Sequence, residues 1–347
     1  MGLFGKSKTE LLGESINAHI AEQIDATAMD EAEINAIDAG LFEFAEYNAE
    51  EAERGGYSNY SYWRATFRIF WRNKMARFLV IFLGLLLAFT FIQPYLPNQI
   101  DPNLIHYDAN GQLLKNLAMG EQGYLFGTDN LGRDVWSRVW FGIRTSLFIG
   151  FVVALSECVI GITVGVLWGY VRKVDRLFTE IYNIVDNIPR TIILILISYI
   201  LRPSMSTLII AMCFVGWLPM ARFIRNQIVI IRDRDYNLAS RCLGSSAGRI
   251  IIKNLLPYLI SVIMLRVALA VPTAITDEVF LTYIGLGLPL DTPSLGTLII
   301  YGRSLISNRS LMHLLVIPCV ALSVVTVCFY VIGNAFADAA DPKNHRE

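Results

Sequence analysis

Read along the chain, apolar residues gather into long runs, and the stretches between them concentrate charge or helix breakers. A helix needs about 20 apolar residues to cross the hydrocarbon core of a bilayer. Six runs meet or approach that length, at about 78–97, 143–170, 180–201, 206–224, 256–284 and 311–337. Lipid offers no partner to backbone N–H and C=O groups, so each run is predicted as a helix that satisfies its own backbone. Gly161, Gly165 and Gly169 recur at four-residue intervals and put a flat seam on one face of the second run, where another helix can approach closely. Pro189, Pro219 and Pro272 each remove a backbone hydrogen bond within or near the end of a run and predict kinks.

The polar stretches set the orientation. Arg64, Arg68, Arg72, Lys74 and Arg77 precede the first run, and Arg172, Lys173 and Arg176 separate the second and third. Arg222, Arg225, Arg232, Arg234, Arg241, Arg249 and Lys253 separate the fourth and fifth. Bases are retained on the cytoplasmic side, and all three clusters fall there if both termini are cytoplasmic. The opposite loops, at about 98–142, 202–205 and 285–310, carry fewer bases for their length, with Arg133, Arg138 and Arg144 as exceptions. Within the first of them, Asn98–Phe126 contains Pro102 and the turn-prone pair Asn110-Gly111, which predicts a small folded or draped element. In the last, Gly285, Gly287, Pro289, Pro293 and Gly296 rule out a simple helix. Backbone that irregular persists at membrane depth only if it is buried in protein or lines a wet cavity.

Composition agrees: 54% of residues are hydrophobic and 17% charged, too apolar for an ordinary soluble domain. The net charge of −1 hides two unlike parts, because residues 1–60 hold 13 acidic side chains against 3 basic ones, whereas the remainder holds 17 acids and 26 bases. The boundaries read as an acidic cytoplasmic tail (1–60), a basic pre-helix and first span (61–97), an extracellular segment (98–142), a core (143–337) and a cytoplasmic C-terminus (338–347). Apolar residues at Ile16, Ile20, Ile24, Ile34, Ile37 and Leu41 give the tail the pattern of a short amphipathic helix or hairpin, or else of a loosely ordered tail. The N-terminus lacks the apolar core and cleavage site of a signal peptide, which leaves the first span as the insertion signal. The five cysteines lie without metal-ligand spacing and read as small hydrophobes.

The stretch Arg222–Pro257 is Arg-rich yet holds Tyr236, Leu238, Ala239, Cys242, Leu243, Ile250, Ile251, Ile252, Leu255 and Leu256, too much apolar character for a solvated linker. It must pack against something. Leu238–Leu243 is predicted as a short helix that Gly244 stops in a left-handed cap. A second short helix begins after Ser245 and Ser246, either of which can serve as N-cap. Two short helices joined at a glycine make a compact knob projecting from the membrane.

Here the chain resembles a known family. Trp217, Ala221, Arg222 and Arg225, then Tyr236-Asn-Leu-Ala-Ser-Arg-Cys-Leu-Gly244, then Leu256-Pro257, are similar to the Glu-Ala-Ala coupling loop of binding-protein-dependent ABC importer permeases, with Leu238 where the family usually has Glu and Ser240 where it has the second Ala. Gly127-Thr-Asp-Asn-Leu-Gly-Arg-Asp-Val-Trp-Ser-Arg138, with Gly142, Arg144 and Ser146-Leu147, resembles the segment before the second span in the C-type subunits of dipeptide, oligopeptide and nickel permeases. Glu278, Ile284-Gly-Leu-Gly287 and Pro293-Ser-Leu-Gly296 resemble the outer loop of the same subfamily. The resemblance spans about residues 68–337.

It implies an all-α membrane protein with the six-transmembrane-helix fold of a type I ABC importer permease and a cytoplasmic coupling helix within 225–256. Tyr236, Leu238, Ala239, Ser240, Arg241, Leu243 and Gly244 would enter a cleft on an ATPase subunit. The implied partners are a homologous second permease, two ABC ATPase subunits, an extracellular or periplasmic substrate-binding protein and the lipid bilayer of the bacterial cytoplasmic membrane, with no nucleic acid. ATP and Mg would belong to the ATPase subunits and none to this chain. Peptides are the cargo the resemblance suggests first, nickel or another small solute second.

Other candidates come from the residues themselves. Asp129, Arg133, Asp134 and Arg138 lie within ten positions and make either a self-paired surface network or a rim for a substrate-delivering receptor or outer gate. Ionisable groups inside spans usually face the interior or water. Glu157, Asp186, Arg190, Arg266, Asp277 and Glu278 are such groups; Asp186 and Arg190, four apart, are spaced to pair along one helix face. Glu278, near the glycine-rich loop with Gly285 and Gly287, is placed either at the interface or on the substrate path with Glu157. No phosphate loop is present, since Gly5-Lys6-Ser7 lacks the opening glycine and a preceding strand. The four histidines are scattered, and no nucleophile with its base can be assembled, so chemistry is expected from partners. The rival class is a secondary transporter, which would predict an internal hydropathy repeat.

Overall fold

The computed structural model describes residues 62–340; the acidic tail and its expected helix lie outside them. Ten helices carry the described chain. They are α1 (Tyr62–Arg72), α2 (Lys74–Ile92), α3 (Val135–Tyr170), α4 (Arg172–Asp186), α5 (Arg190–Leu201), α6 (Met205–Ile231), α7 (Asp235–Cys242), α8 (Ala247–Tyr283), α9 (Leu295–Ser304) and α10 (His313–Ala340). Five stretches are long and apolar enough to cross a membrane: Lys74–Tyr95, α3, α6, α8 and Arg309–Ala340. The third predicted span is a broken one, because α4 and α5 meet at a 77° bend. Pro189 sits at that break as the residue before α5, where its missing N–H and fixed φ end one helix and open another.

Local chemistry explains the helix starts. Asn73 caps α2 through Oδ1, which accepts from the Met75 and Ala76 amides at 3.0 and 3.1 Å. Asp134 caps α3, and Ser294 with Thr297 forms a reciprocal capping box on α9. The helices also run further than their apolar cores. α3 begins at Val135 rather than 143, α6 continues to Ile231 rather than 224, and α8 begins at Ala247 with a π-type turn at Ile251–Leu255. Hydropathy detects only the lipid-facing part of a helix; the charged turns beyond it keep the same backbone bonds in water.

α3 is the central mast. Its glycine seam lies on α6 as expected: a Cβ added at Gly161 would stand 2.7 Å from the Met220 Cβ, and one at Gly169 2.8 Å from the Ile228 Cβ. Further along, α3 packs on α8 and α9 in a cluster of Val139, Ile143, Leu147, Ile275, Leu295 and Leu298. α1 and α2 clasp the end of α10 through Phe70, Ala76, Ala335 and Ala339. α4 is an amphipathic helix fastened to α6 by Arg225, whose Nε and Nη2 reach Asp175 Oδ1 at 2.8 and 2.7 Å.

Candidate functional site

The knob is tighter than the sequence suggests. Because α6 and α8 absorb most of 225–256, only Arg232–Arg234 and Leu243–Ser246 remain outside helices, with α7 between them. The predicted second short helix is the first part of α8. Gly244 turns the chain at φ +77°, with open space around it, so the glycine is required by its backbone conformation alone. Its amide donates to Arg241 O at 2.9 Å, and Ser245 N donates to Ser240 O at 3.0 Å.

Buried polar contacts fix α7 on its base. Asn237 is 0% exposed; its Nδ2 donates to Ile231 O at 2.8 Å, and its Oδ1 accepts from Asn254 Nδ2 at 3.1 Å. Arg241 Nη2 donates to Arg232 O at 2.9 Å, Arg232 Nη1 donates to Gly169 O at 2.6 Å, and Asp233 gathers Arg172, Arg232 and Arg241 within 3.4 Å. Burial alone would raise the Asp233 carboxyl; the hydrogen bond and charge of Arg232 and the charge of Arg172 outweigh it and hold it below its ordinary value. Of the predicted coupling residues, Arg241 and Ser240 thus belong to the base. Tyr236, Leu238, Ala239, Leu243 and Gly244 face outward, and Leu243 is 86% exposed. Asn237 and Asn254 escaped the sequence reading, because nothing about an isolated Asn indicates that its amide will be buried.

The charged turn at 129–138 is self-paired, but it is buried rather than at the surface. Asp129 Oδ2 lies 2.7 Å from Arg133 Nε and 3.5 Å from Arg138 Nε, and Asp134 is occupied in capping α3. Arg138 Nη1 donates to Pro102 O and Asn103 Oδ1, both at 3.1 Å, and Nη2 to Leu290 O at 3.3 Å. Arg138 therefore ties the 98–126 segment and the glycine-rich loop to the mast. All four side chains are closed to a partner in this arrangement, which removes the geometric basis for a receptor rim built from them. Tyr301 of α9 accepts a hydrogen bond from Asn130 N at 2.9 Å; burial, and then the Asp129 charge, push its phenol up to about 12.

Glu278 is likewise no interfacial carboxylate. It is 0% exposed, accepting from Ser146 Oγ at 2.8 Å and Thr282 Oγ1 at 3.1 Å, while Ser146 Oγ accepts from Leu295 N at 3.1 Å. Gly287 is buried against Thr282, whereas Gly285 turns the chain at φ +83° in open space, so Glu278 and Gly287 are enclosed by protein and Gly285 is exposed.

Glu157, Asp186 and Arg190 pair differently from the expectation. Arg190 Nη2 reaches Glu157 Oε1 at 3.2 Å and Asp277 Oδ2 at 3.1 Å, whereas Asp186 faces Arg222 at 3.5 Å and accepts from Tyr182 Oη at 2.8 Å. The 77° break explains this: Asp186 ends one helix and Arg190 opens another, so four-residue spacing no longer puts them on one face. Arg190 thereby links the broken span to α3 and α8. Beside it lies a cavity of about 120 Å³ lined by Glu157, Arg190, Pro219, Arg266, Leu269 and Thr273 among others.

Two family patterns match this chain. The one described as binding-protein-dependent transport system inner membrane component covers residues 161–346, and the N-terminal TM domain of oligopeptide transport permease C covers 61–115. The oligopeptide transport system permease protein AmiD of Streptococcus pneumoniae is 36% identical over 316 residues, covering 90% of this chain and 100% of that protein. The oligopeptide transport system permease protein OppC of Bacillus subtilis is 32% identical over 309 residues, covering 88% and 98%. Among solved structures, an inward-facing MetNI methionine ABC transporter superposes with a TM-score of 0.51 at 21% identity, over 59% of this chain and 97% of that one, a likeness of fold alone. The chain thus belongs to the inner membrane components of binding-protein-dependent transport systems.

Proposed function

We propose that this chain is one permease subunit of a receptor-dependent, ATP-driven importer of peptides in the bacterial cytoplasmic membrane. It forms half of the pathway with a homologous second permease and receives force from two ATPase subunits through the knob. The observation that carries the reading is the knob itself: an apolar outward face of Tyr236, Leu238 and Leu243 on a base fixed by Asn237, Arg241 and Arg232. Exposed apolar side chains on a rigid projection fit burial against another protein better than contact with water. ATP and Mg are held by the ATPase subunits, and both termini of this chain lie on the knob side of the bilayer. Peptide cargo is favoured over nickel by the oligopeptide names of AmiD and OppC. ATP and the loaded receptor each have to favour one of two states of the broken span and kinked helices, since a ligand with equal affinity for both shifts nothing.

Leu243→Asp tests the reading without disturbing the fold, because that side chain is almost fully exposed. The variant is expected to insert normally but to lose the ATPase subunits on detergent copurification and to lose receptor-dependent uptake. Retention of the ATPase with undiminished uptake overturns the assignment, and uptake by this chain with no ATPase present would favour a secondary transporter.

A further inference from the structure

A groove between α2 and α3 takes no part in the knob or in the buried charge networks. Its volume is about 810 Å³. One wall is the face of α3 on which Phe141, Arg144, Phe148, Phe151 and Leu155 recur at helical spacing, and the other holds Leu87 and Phe91 of α2. Phe148, Phe151 and Leu155 are exposed, and both helices belong to stretches long and apolar enough to cross a membrane. The groove is therefore an apolar slot at membrane depth.

Arg144 is the exception in that wall. Its guanidinium lies 5.1 Å from the centroid of the Phe141 ring, and among the described residues it makes no ion pair, whereas nearby Arg133 and Arg138 share Asp129. A half-buried cation at the margin of a membrane calls for an anion. Its depth is set by the mast. Arg144 stands roughly 38 Å along α3 from Gly169, whose carbonyl meets the base of the knob at Arg232, and so marks the membrane face away from the knob. From Arg144 to Leu155 the face runs roughly 16 Å, about half of the ~30 Å hydrocarbon core. The slot has the depth of one leaflet and carries its charge at the rim.

We infer that this groove binds a phospholipid of the leaflet away from the knob, its phosphate on Arg144 and an acyl chain along Phe148, Phe151 and Leu155. The guanidinium fork matches two phosphate oxygens at once, and the side chains below it match hydrocarbon. A helix of another subunit could cover the apolar wall but would have to bring its own acid to Arg144. A phospholipid carries both parts in one molecule, and the bilayer presents it at this depth. The site is independent of the cargo, so it stands whether the transporter imports peptides or another solute.

The test uses the complete transporter in nanodiscs of phosphatidylethanolamine and phosphatidylglycerol. Three photoactive probes are added in trace amounts: phosphatidylglycerol with a diazirine on one acyl chain, the diacylglycerol with the same chains, and phosphatidylglycerol with the diazirine in its headgroup. After irradiation, the label in each stretch is divided by the label on the whole chain. Residues 148–155 are expected to take about tenfold more label from the acyl-tagged phosphatidylglycerol than from the diacylglycerol, in line with one charge-assisted contact. Arg144→Gln should bring that ratio close to one. The headgroup probe should mark residues 141–145, which fixes the placement even if Arg144→Gln does not assemble. Equal labelling by phosphatidylglycerol and diacylglycerol reduces the groove to ordinary lipid-facing surface and overturns the inference. So does a ratio unchanged in Arg144→Gln, or a groove that takes no label because the second permease covers it.

Discussion

Asn237→Ala isolates the stiffness of the knob from the surface it presents. The substitution removes the 2.8 Å bond to Ile231 O and the 3.1 Å bond from Asn254 Nδ2, and leaves Tyr236, Leu238 and Leu243 in place. Neither partner is fully stranded: Ile231 O still accepts from Arg234 N at 3.2 Å, and Asn254 Nδ2 still reaches Ser240 Oγ at 3.4 Å. Two buried bonds at about 1 kcal/mol each, with a further fraction for weakened satisfaction, give about 2–3 kcal/mol. If α7 opens locally, its open population rises roughly 30- to 150-fold at 1.4 kcal/mol per decade. Hydrogen exchange on the assembled transporter reads this directly, because protection of the α7 amides falls by the same factor while α3 stays unchanged. Transported peptide per ATP hydrolysed should fall too, since a loosened projection yields before it moves α6 and α8. A change in α7 protection of less than about threefold would refute the claim that Asn237 fastens the knob.

Gly216→Ala forces its new Cβ against the Glu157 carboxylate and should lower thermal stability in detergent by about 1–3 kcal/mol, the usual range for overpacking. In a double-mutant cycle with Glu157→Ala the two changes should be strongly non-additive; strict additivity would place Glu157 elsewhere. Arg138→Ala frees Pro102 O, Asn103 Oδ1 and Leu290 O while Asp129 keeps Arg133, a loss of about 3 kcal/mol that limited proteolysis should register as new cleavage between residues 98 and 126. Tyr301 is protonated in the fold until about pH 12 but only to about pH 10 when unfolded. The folded state binds the extra proton between those values, so stability falls across that window, and Tyr301→Phe should flatten the fall in thermal scans.

Much of the architecture is legible in the amino-acid sequence. The six apolar runs correspond to the five long helices and the broken pair, because a chain in lipid has to satisfy its backbone locally and a long apolar run leaves it few other solutions. The glycine seam of α3 and the turn at Gly244 were legible for a similar reason, since each follows from the steric demand of one residue type. The helix limits departed for one reason, the ends of α3, α6 and α8 running past the apolar runs because hydropathy reports the solvent and not the helix, whereas the misplaced charges at Asp186, Arg190 and 129–138 depended on packing and on the 77° break.

The residues alone determined which stretches are long and apolar enough to cross a membrane, the break at Pro189 and where the chain turns into a knob, since all of these are written in neighbours a few positions apart. Only the tertiary structure decided which charges meet. Arg190 finds partners 33 and 87 positions away, and Glu278 finds Ser146 at 132, because the faces that come together depend on the rotation and break of whole helices. The same packing decided that Asn237 is a fastener and Leu243 a free surface, although they lie six residues apart, since burial belongs to the assembled fold and not to the side chain.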